Sequence, residues 1–182
     1  MDLVNLNKSD RIIEGMFFED KIIQNAKSNN AKIIFRNGDV YNGNIKDESI
    51  GDYGTMLYID GSIYQGSFED EKRHGFGIFI TKEGDKYKGI WEDDKKCGFG
   101  ISYDKEKEEY YEGNFSNNFY EGMGKLYTST LEMYETSFIR GTKDKYLKPT
   151  QYITSDTYQN LVSKFMKIQE KSKPDIFVIP DK

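Results

Sequence analysis

Apolar and polar residues alternate in short stretches along most of the chain. In one such stretch Tyr64, Gly66 and Phe68 alternate with Gln65 and Ser67. Because the side chains of a β-strand point alternately to its two faces, this alternation predicts a strand with one face buried. The same order, an aromatic residue, then glycine, then another apolar residue, predicts similar strands elsewhere in the chain.

A second apolar segment follows each of these strands. After the strand that begins at Tyr64 come a charged stretch, residues 69–73, and an apolar stretch, residues 76–80. Two apolar stretches separated by a few polar residues predict a β-hairpin. Gly61 and Gly84 lie between units, where they predict the turns that lead from one hairpin to the next.

This two-strand unit is a repeat with a period of about 23 residues. A pair of glycines with one residue between them recurs in the second strand of each unit. The clear copies begin at Tyr41, Tyr64, Tyr87 and Tyr111. The glycine pairs of the last three copies are Gly75 and Gly77, Gly98 and Gly100, and Gly122 and Gly124.

The end copies depart from the pattern. In the Tyr41 copy Asp52 takes the place of the first paired glycine, and near the C-terminal end Tyr134 is followed by Thr136 instead of glycine. At the N-terminal end Ile13, Gly15 and Phe17 open the array. Together with an irregular stretch from Glu19 to Asn30, these departures predict an altered hairpin near the start and a frayed final unit.

The glycines themselves predict how the strands are covered. Glycine inside a strand is destabilising by roughly 0.5–1 kcal/mol relative to alanine, so its regular use indicates a compensating role. A missing side chain opens a slot in which a ring of a neighbouring strand can lie flat. We therefore expect a curved ladder of hairpins with an aromatic face. We expect Phe76, Ile78 and Ile80 of the second strand to lie on that face, because this register places the most apolar atoms there. The alternative register places Phe79 there instead.

Composition supports β structure with a thin core. Aromatic residues make up 15% of the 182 residues, with 14 Tyr and 12 Phe, against only 3 Pro, and aromatic residues favour strands. All hydrophobic residues together reach only 36%. The length predicts one domain or two small ones.

The sequence resembles the MORN (membrane occupation and recognition nexus) repeat in two pairs of segments. These are Tyr64-Gln-Gly-Ser-Phe68 with His74-Gly-Phe-Gly77, and Tyr87-Lys-Gly-Ile-Trp91 with Cys97-Gly-Phe-Gly100. The resemblance covers about residues 11–141 and is strongest over 41–127. Several consecutive units in a fixed register make it specific.

The resemblance implies an all-β fold, an elongated single-layer antiparallel sheet of repeated β-hairpins. We assign residues 1–145 to this array, with the clearest units over 41–133, and residues 146–182 to a C-terminal helix and apolar tail. Relatives act mainly as scaffolds, in cilia and flagella, in protist cytoskeletons, at membrane junctions or as accessory segments of larger enzymes. Some bind the helix of a partner in a concave groove, and lipid binding has been proposed for others.

The repeat stops at Tyr146, and a helical pattern follows. It predicts an amphipathic helix over about residues 155–171, capped by Thr154 or Ser155. The apolar residues with helical spacing are Tyr158, Leu161, Val162, Phe165 and Ile168. This helix either closes the last strand or lies in the sheet's own groove, or else docks on another chain. The apolar run from Ile176 to Ile179 adds a strand or fills a pocket, its own or a partner's.

Candidate chemistry is sparse. The glycine pairs lack the order of a phosphate-binding loop and recur as sheet architecture. His74 and Cys97 are the only histidine and cysteine, and both are expected to be structural. Carboxylates alternate with lysines at hairpin tips, which is typical of a solvated rim. We therefore predict no catalytic residue, no cofactor and no metal ion.

The aromatic face is the candidate functional surface. Rings on one face of a single-layer sheet must be covered or remain as an exposed apolar patch, which monomers rarely tolerate. They either bind a partner helix or segment, with Trp91 as a central anchor, or stack on one another without a ligand. The candidate binding residues are Tyr64, Phe68, Phe76, Tyr87, Trp91, Phe99, Tyr111 and Phe115.

These features predict a non-enzymatic scaffold or adaptor subunit with protein partners. The net charge of −5 disfavours nucleic acid and anionic lipid. Peripheral binding to phospholipid membranes and an accessory role in an enzyme complex are the alternatives. The chain has no run of 18 apolar residues and no secretory signal at its start, so we expect a cytoplasmic location. The resemblance adds the cytoskeleton or a cilium.

Overall fold

The computed structural model describes residues 11–14, 17–18, 21–22, 31–46 and 49–167. Strands dominate this part of the chain, and one helix follows them. The strands are β1 Arg11–Glu14, β2 Phe17–Phe18, β3 Lys21–Ile22, β4 Ala31–Phe35, β5 Val40–Lys46, β6 Ser49–Leu57, β7 Ile63–Glu69, β8 Lys72–Ile80, β9 Lys86–Glu92, β10 Lys95–Asp104, β11 Glu109–Ser116, β12 Phe119–Tyr127, β13 Glu132–Phe138 and β14 Gln151–Tyr152, and the helix is α1 Ser155–Lys167.

Twelve of the described strands form one open antiparallel sheet. The order is β1, then β4 to β14 in sequence, so each strand of the repeat array pairs with the strands before and after it in the chain. Strands β2 and β3 pair only with each other. At ~4.8 Å between adjacent strands the sheet is about 50 Å long. The predicted all-β array of hairpins is confirmed.

The two ends of the array differ from the sequence-based expectation. At the start, β1 pairs directly with β4, which sets Ile13 opposite Ile33, while Phe17 lies in the separate β2–β3 hairpin. Near the C-terminal end, β13 pairs with β12 at six consecutive positions from Gly122 to Tyr127, so this strand is not frayed. The altered hairpin predicted near Asp52 involves residues 47–48, which lie outside the described residues.

Tyrosine rings lie flat on glycines along one face of the sheet. Gly66 and Gly77 are directly opposite each other, and the Tyr64 ring covers both. A Cβ atom added at Gly66 would lie 2.5 Å from both the Gly77 Cα and the Tyr64 hydroxyl. Three further tyrosines cover glycine pairs in the same way, and all four rings are 0% exposed. We call Tyr41, Tyr64, Tyr87 and Tyr111 the tyrosine ladder, and the face they occupy the ladder face.

The ladder hydroxyls bind backbone oxygens beside irregularities in the sheet. Strand pairing shifts between Gly66 and Phe68, and Tyr64 donates a hydrogen bond to the Ser67 carbonyl at 2.8 Å. A β-bulge interrupts the backbone hydrogen bonds of a sheet, and an unpaired buried carbonyl is destabilising. The phenol therefore satisfies an oxygen at the bulge. The other ladder tyrosines make the same bond three residues on, Tyr41 to Asn44 at 2.8 Å, Tyr87 to Ile90 at 2.9 Å and Tyr111 to Asn114 at 3.0 Å.

The expected register of the second strand is wrong. Phe79, not Phe76, lies directly opposite Tyr64, and Phe76, Ile78 and Ile80 are on the face opposite the ladder. The cause is a two-residue turn that pairs Glu69 with Lys72, so even-numbered residues of β7 face odd-numbered residues of β8. Both turn residues, at positions 70 and 71, have positive φ, as in the type I′ turn that fits the twist of a hairpin.

Hairpin tips of successive units are tied along one edge of the sheet. The Asp94 N–H donates to the Arg73 carbonyl at 3.1 Å, and the Asn118 N–H donates to the Lys96 carbonyl at 3.1 Å. The Asp94 and Asn118 side chains return the bond by accepting from the Arg73 and Lys96 N–H groups at 3.0 and 2.8 Å. The hairpin tips at Asp94 and Asn118 are thus each hydrogen-bonded to the tip of the preceding hairpin.

Helix α1 lies against the face opposite the ladder. Its residues Leu161, Val162 and Phe165 contact Tyr103 and Tyr110 there. This docking buries the predicted apolar stripe, but it covers other rings than those of the ladder. Before the helix, β14 pairs with β13 and covers part of the last edge.

The start of α1 is capped as predicted. The Thr157 N–H donates to the Thr154 side chain at 3.2 Å, which makes Thr154 the capping residue. The Tyr158 hydroxyl donates to the Glu108 carbonyl and fixes the first turn to the sheet. Ile168, the predicted end of the helix at 171 and the apolar run 176–179 lie outside the described residues.

We expect that Gly66→Ala destabilises the protein by about 1–3 kcal/mol, because the new Cβ meets backbone and ring atoms that are buried and held on both sides. Gly122→Asn is the matched control. Gly122 has φ +68°, a conformation that Asn tolerates, and nothing lies within 4 Å of an added Cβ. Urea unfolding measures both changes. Equal losses for the two variants would contradict the close contact.

Candidate functional site

Six of the eight predicted binding residues lie on the ladder face, and two do not. Phe76 and Phe99 are on the opposite face, with 49% and 57% of their surface exposed. Their assignment to the aromatic face is wrong for the reason given above, the two-residue turn. The six on the ladder face are buried, with at most 6% exposed: Tyr64, Phe68, Tyr87, Trp91, Tyr111 and Phe115. The binding role of these residues remains a prediction.

The buried rings cover one another. The Trp91 ring meets the Tyr64 and Tyr87 rings edge-on, with centroids 5.5 and 5.1 Å apart. Phe115 meets Tyr87 at 4.8 Å and Tyr111 at 5.3 Å in the same manner. Edge-to-face pairs of this kind each contribute ~0.5–1.5 kcal/mol beyond burial. The rings therefore form a continuous, buried floor. A ligand would contact the side chains that lie above this floor.

Two adjoining cavities lie over this floor. The larger, which we call the apolar chamber, has a volume of about 840 Å³. The smaller, the lysine chamber, has a volume of about 510 Å³. Both are lined by Phe79, so they adjoin at this residue on the ladder face, and we call the two cavities together the groove. The apolar side chains of the larger chamber are Phe35, Ile50, Met56, Tyr58, Phe68 and Phe79.

Charged groups surround the apolar chamber. Its lining includes two arginines, Arg36 and Arg73, against four carboxylates. The carboxylates are those of Asp39, Asp60, Glu71 and Asp94. The chamber thus combines an apolar floor with a rim in which negative charge predominates.

Arg73 covers the predicted anchor residue Trp91. Its guanidinium carbon lies 4.2 Å from the centre of the Trp91 ring and 5.0 Å from that of Phe79, and its Nε pairs with Asp94 at 2.9 Å. Cation–π contact and the ion pair together hold the arginine flat on the rings. The indole N–H of Trp91 is buried and has no hydrogen-bond partner in the described structure. Arg73, not Trp91, is the group that a ligand would meet.

Positive groups and hydroxyls line the lysine chamber. The Lys96 ammonium lies 4.9 Å from the centre of the Tyr87 ring, and burial, followed by the charge of Arg73, lowers the pKa of Lys96. Burial also lowers the pKa of Lys86. The Ser102 and Tyr120 hydroxyls share a hydrogen bond of 3.2 Å at the same place. Lys107 and Lys143 complete the set of lysines.

One groove position that recurs in every unit is not among the binding residues predicted from the sequence. Arg73 lies opposite Phe68, Lys96 opposite Trp91 and Tyr120 opposite Phe115. Ile50, opposite Ile45, is the equivalent residue of the first unit. These residues line the groove, and they differ from unit to unit while the tyrosines and glycines stay the same. That contrast within the repeat was the available signal.

The side chains of His74 and Cys97, which could be reactive, both lie in surroundings that suit a structural role. The His74 imidazole lies 3.2 Å from the Glu69 carboxylate on the surface. Burial, followed by the nearby charge of Glu92, raises the pKa of the Cys97 thiol, which favours the unreactive protonated form. In the described residues, no group of three or more His, Cys, Asp or Glu side chains is placed to hold a metal ion. The one described helix is too short and too polar to cross a membrane.

The fold defines a class, the proteins built from repeated β-hairpins in one open antiparallel sheet. Comparison with known families identifies the repeat. The sequence profile of the MORN repeat matches residues 64–86, 87–105 and 111–130, so the chain carries three MORN repeats. MORN repeats are a non-catalytic repeat type that takes part in interactions with proteins and lipids. No curated protein gives a significant match to the chain.

The geometry extends the repeat beyond the matched residues. In the Tyr41 unit the ring covers Gly43 and Gly54, and the hydroxyl binds the Asn44 carbonyl. This is the arrangement of the matched units. Asp52 therefore changes the sequence of the repeat without changing its ladder contact.

We expect stability to fall above about pH 10, the ordinary pKa of tyrosine. Burial raises the pKa of Tyr111 to about 12 and does the same for Tyr110 and Tyr158. A raised pKa in the folded state means that folding favours the protonated phenol, so this stabilisation is full below pH 10 and is lost as pH rises towards 12. Urea midpoints at about pH 8 and about pH 11 measure the loss. Tyr111→Phe, which cannot ionise, should lose less; an unchanged wild-type midpoint would contradict the burial.

Proposed function

We propose that this protein is a non-enzymatic scaffold or adaptor that binds a helix or extended segment of a partner protein in the groove of the ladder face. The observation that carries the proposal is the groove itself. Its floor is a continuous layer of buried rings, and half-buried apolar side chains such as Tyr58 and Phe79 line its larger chamber. Concave apolar surfaces with a few fixed polar groups are the usual form of a binding site.

The charges around the groove favour a protein over an anionic membrane. Carboxylates outnumber arginines four to two in the lining of the apolar chamber, four lysines face three carboxylates in the lysine chamber, and the whole chain carries a net charge of −5. The net negative charge of the chain and of the apolar chamber disfavours binding to a surface of anionic lipids. A partner segment can instead bury apolar side chains in the centre and pair its polar groups with the rim, which is the arrangement of most protein interfaces.

The proposed setting is a larger assembly, with a cytoskeletal or ciliary location resting on the family resemblance alone. In that setting the ribbon would act as a rigid platform about 50 Å long. Its regular backbone would supply the shape, and the side chains of the groove would supply the selectivity.

Affinity purification from cells, followed by titration of the purified partner against two variants, tests the proposal. Tyr58→Ala removes a ring from the apolar chamber, and we expect it to raise Kd about tenfold or more, because a few large aromatic side chains dominate the binding energy of an interface. Phe99→Ala is the matched control, because it removes an exposed ring from the opposite face. That variant should leave Kd within about twofold.

Thermal unfolding of both variants shows first that the fold is retained. Loss of binding in Phe99→Ala with none in Tyr58→Ala would move the interface to the other face and contradict the proposal. Flotation of the protein with anionic vesicles, combined with failure to capture any protein, would replace it with membrane binding.

A further inference from the structure

The two chambers of the groove differ in charge. The apolar chamber carries four carboxylates and two arginines, whereas the lysine chamber carries four lysines and three carboxylates. One of those carboxylates, Asp104, is paired with Lys107 at 2.6 Å. A second, Asp85, accepts a hydrogen bond from the Lys105 N–H at 2.9 Å. Two of the three carboxylates in the lysine chamber thus have local partners.

Two of the lysines have no such contact. In the described part of the chain, neither Lys96 nor Lys143 has a carboxylate oxygen within 4.0 Å. Instead, their ammonium groups lie over the Tyr87 and Tyr134 rings, at 4.9 and 3.8 Å from the ring centres. Stacking on a ring attracts a cation without neutralising it. Asp85 acts on Lys96 and Glu109 on Lys143 without a direct ion pair, so both ammonium groups can still take an anion as a direct partner.

The surroundings of these lysines strengthen the attraction. Burial lowers the pKa of Lys96, which means that its charged form lacks the solvation that it would have in water. Burial raises the pKa of the third carboxyl in the chamber, that of Glu109, although the charges of Lys107 and Lys143 act in the opposite direction. An anion from outside would stabilise the charged lysine, and the Tyr120 hydroxyl lines the same chamber.

We propose that the partner segment has large apolar side chains at one end and a cluster of carboxylates at the other. The apolar end occupies the chamber lined by Tyr58 and Phe79, and the Asp or Glu side chains bind Lys96 and Lys143. This inference rests on the proposed function, and it adds the chemistry of the partner and the direction in which it lies along the ribbon.

Selection of a displayed library of random peptides on the folded protein tests this chemistry without knowledge of the natural partner. We expect enriched peptides to combine several large apolar residues with Asp or Glu grouped at one end. The same selection on Lys96→Gln/Lys143→Gln should keep the apolar residues and lose the acidic group. The matched control is Lys88→Gln/Lys125→Gln, which removes two lysines from the opposite face and should select the same peptides as wild type.

One enriched peptide is then synthesised with Glu and with Gln at the acidic positions. Fluorescence anisotropy should show about tenfold tighter binding of the Glu peptide to wild type, a preference that falls as salt is added. The Lys96→Gln/Lys143→Gln variant should bind the two peptides alike.

The outcomes separate this inference from the proposed function. Apolar peptides without acidic residues, or an acidic group that persists in Lys96→Gln/Lys143→Gln, would overturn the charge assignment and leave the groove as a binding site. Enrichment that is unaffected by Tyr58→Ala, or no enrichment at all, would overturn both.

Discussion

The contact between a tyrosine ring and a pair of opposed glycines is the constraint on which the rest of the structure depends. Each ladder ring needs both side chains absent beneath it, one on its own strand and one on the next. In return the ring buries the backbone that the glycines leave bare, and its hydroxyl binds a carbonyl at the bulge beside them. Strand register, bulge position and ring packing are thereby set by one interaction, repeated every 23 or 24 residues.

Use of the tyrosines for the floor of the groove leaves other side chains to contact a partner. The floor rings hold one another edge to face and are closed to solvent. Above them, the position opposite Ile45, Phe68, Trp91 and Phe115 changes from one unit to the next. A constant floor with a variable upper layer lets one repeat fold carry an apolar and a basic region side by side. Under the proposed function, the residues that fold the chain are then different from those that select a partner.

Much of this architecture could be predicted from the sequence, because period and alternation are local signals. The strands, the ring-covering role of glycines such as Gly66 and the apolar stripe of α1 all follow from spacing. The face on which Phe79 lies could not be predicted in this way. It depends on the strand register, which is set by the length of the turn, and the residues Asp70 and Glu71 do not indicate a two-residue turn. The docking face of α1 was open for a similar reason, since a stripe shows that a helix is covered without showing by what. Arg73 was assigned only to the polar stretch between two strands, because its place on the Trp91 ring depends on the same register.

The position of the Tyr64 ring over Gly66 and Gly77 is tested most directly by nuclear magnetic resonance of the folded protein. Protons above an aromatic face are strongly shielded, so the account predicts Gly77 Hα resonances far upfield of their unfolded positions, with cross-relaxation to the Tyr64 ring protons. Gly77 Hα shifts near the values of an unfolded chain, without cross-relaxation to that ring, would contradict it.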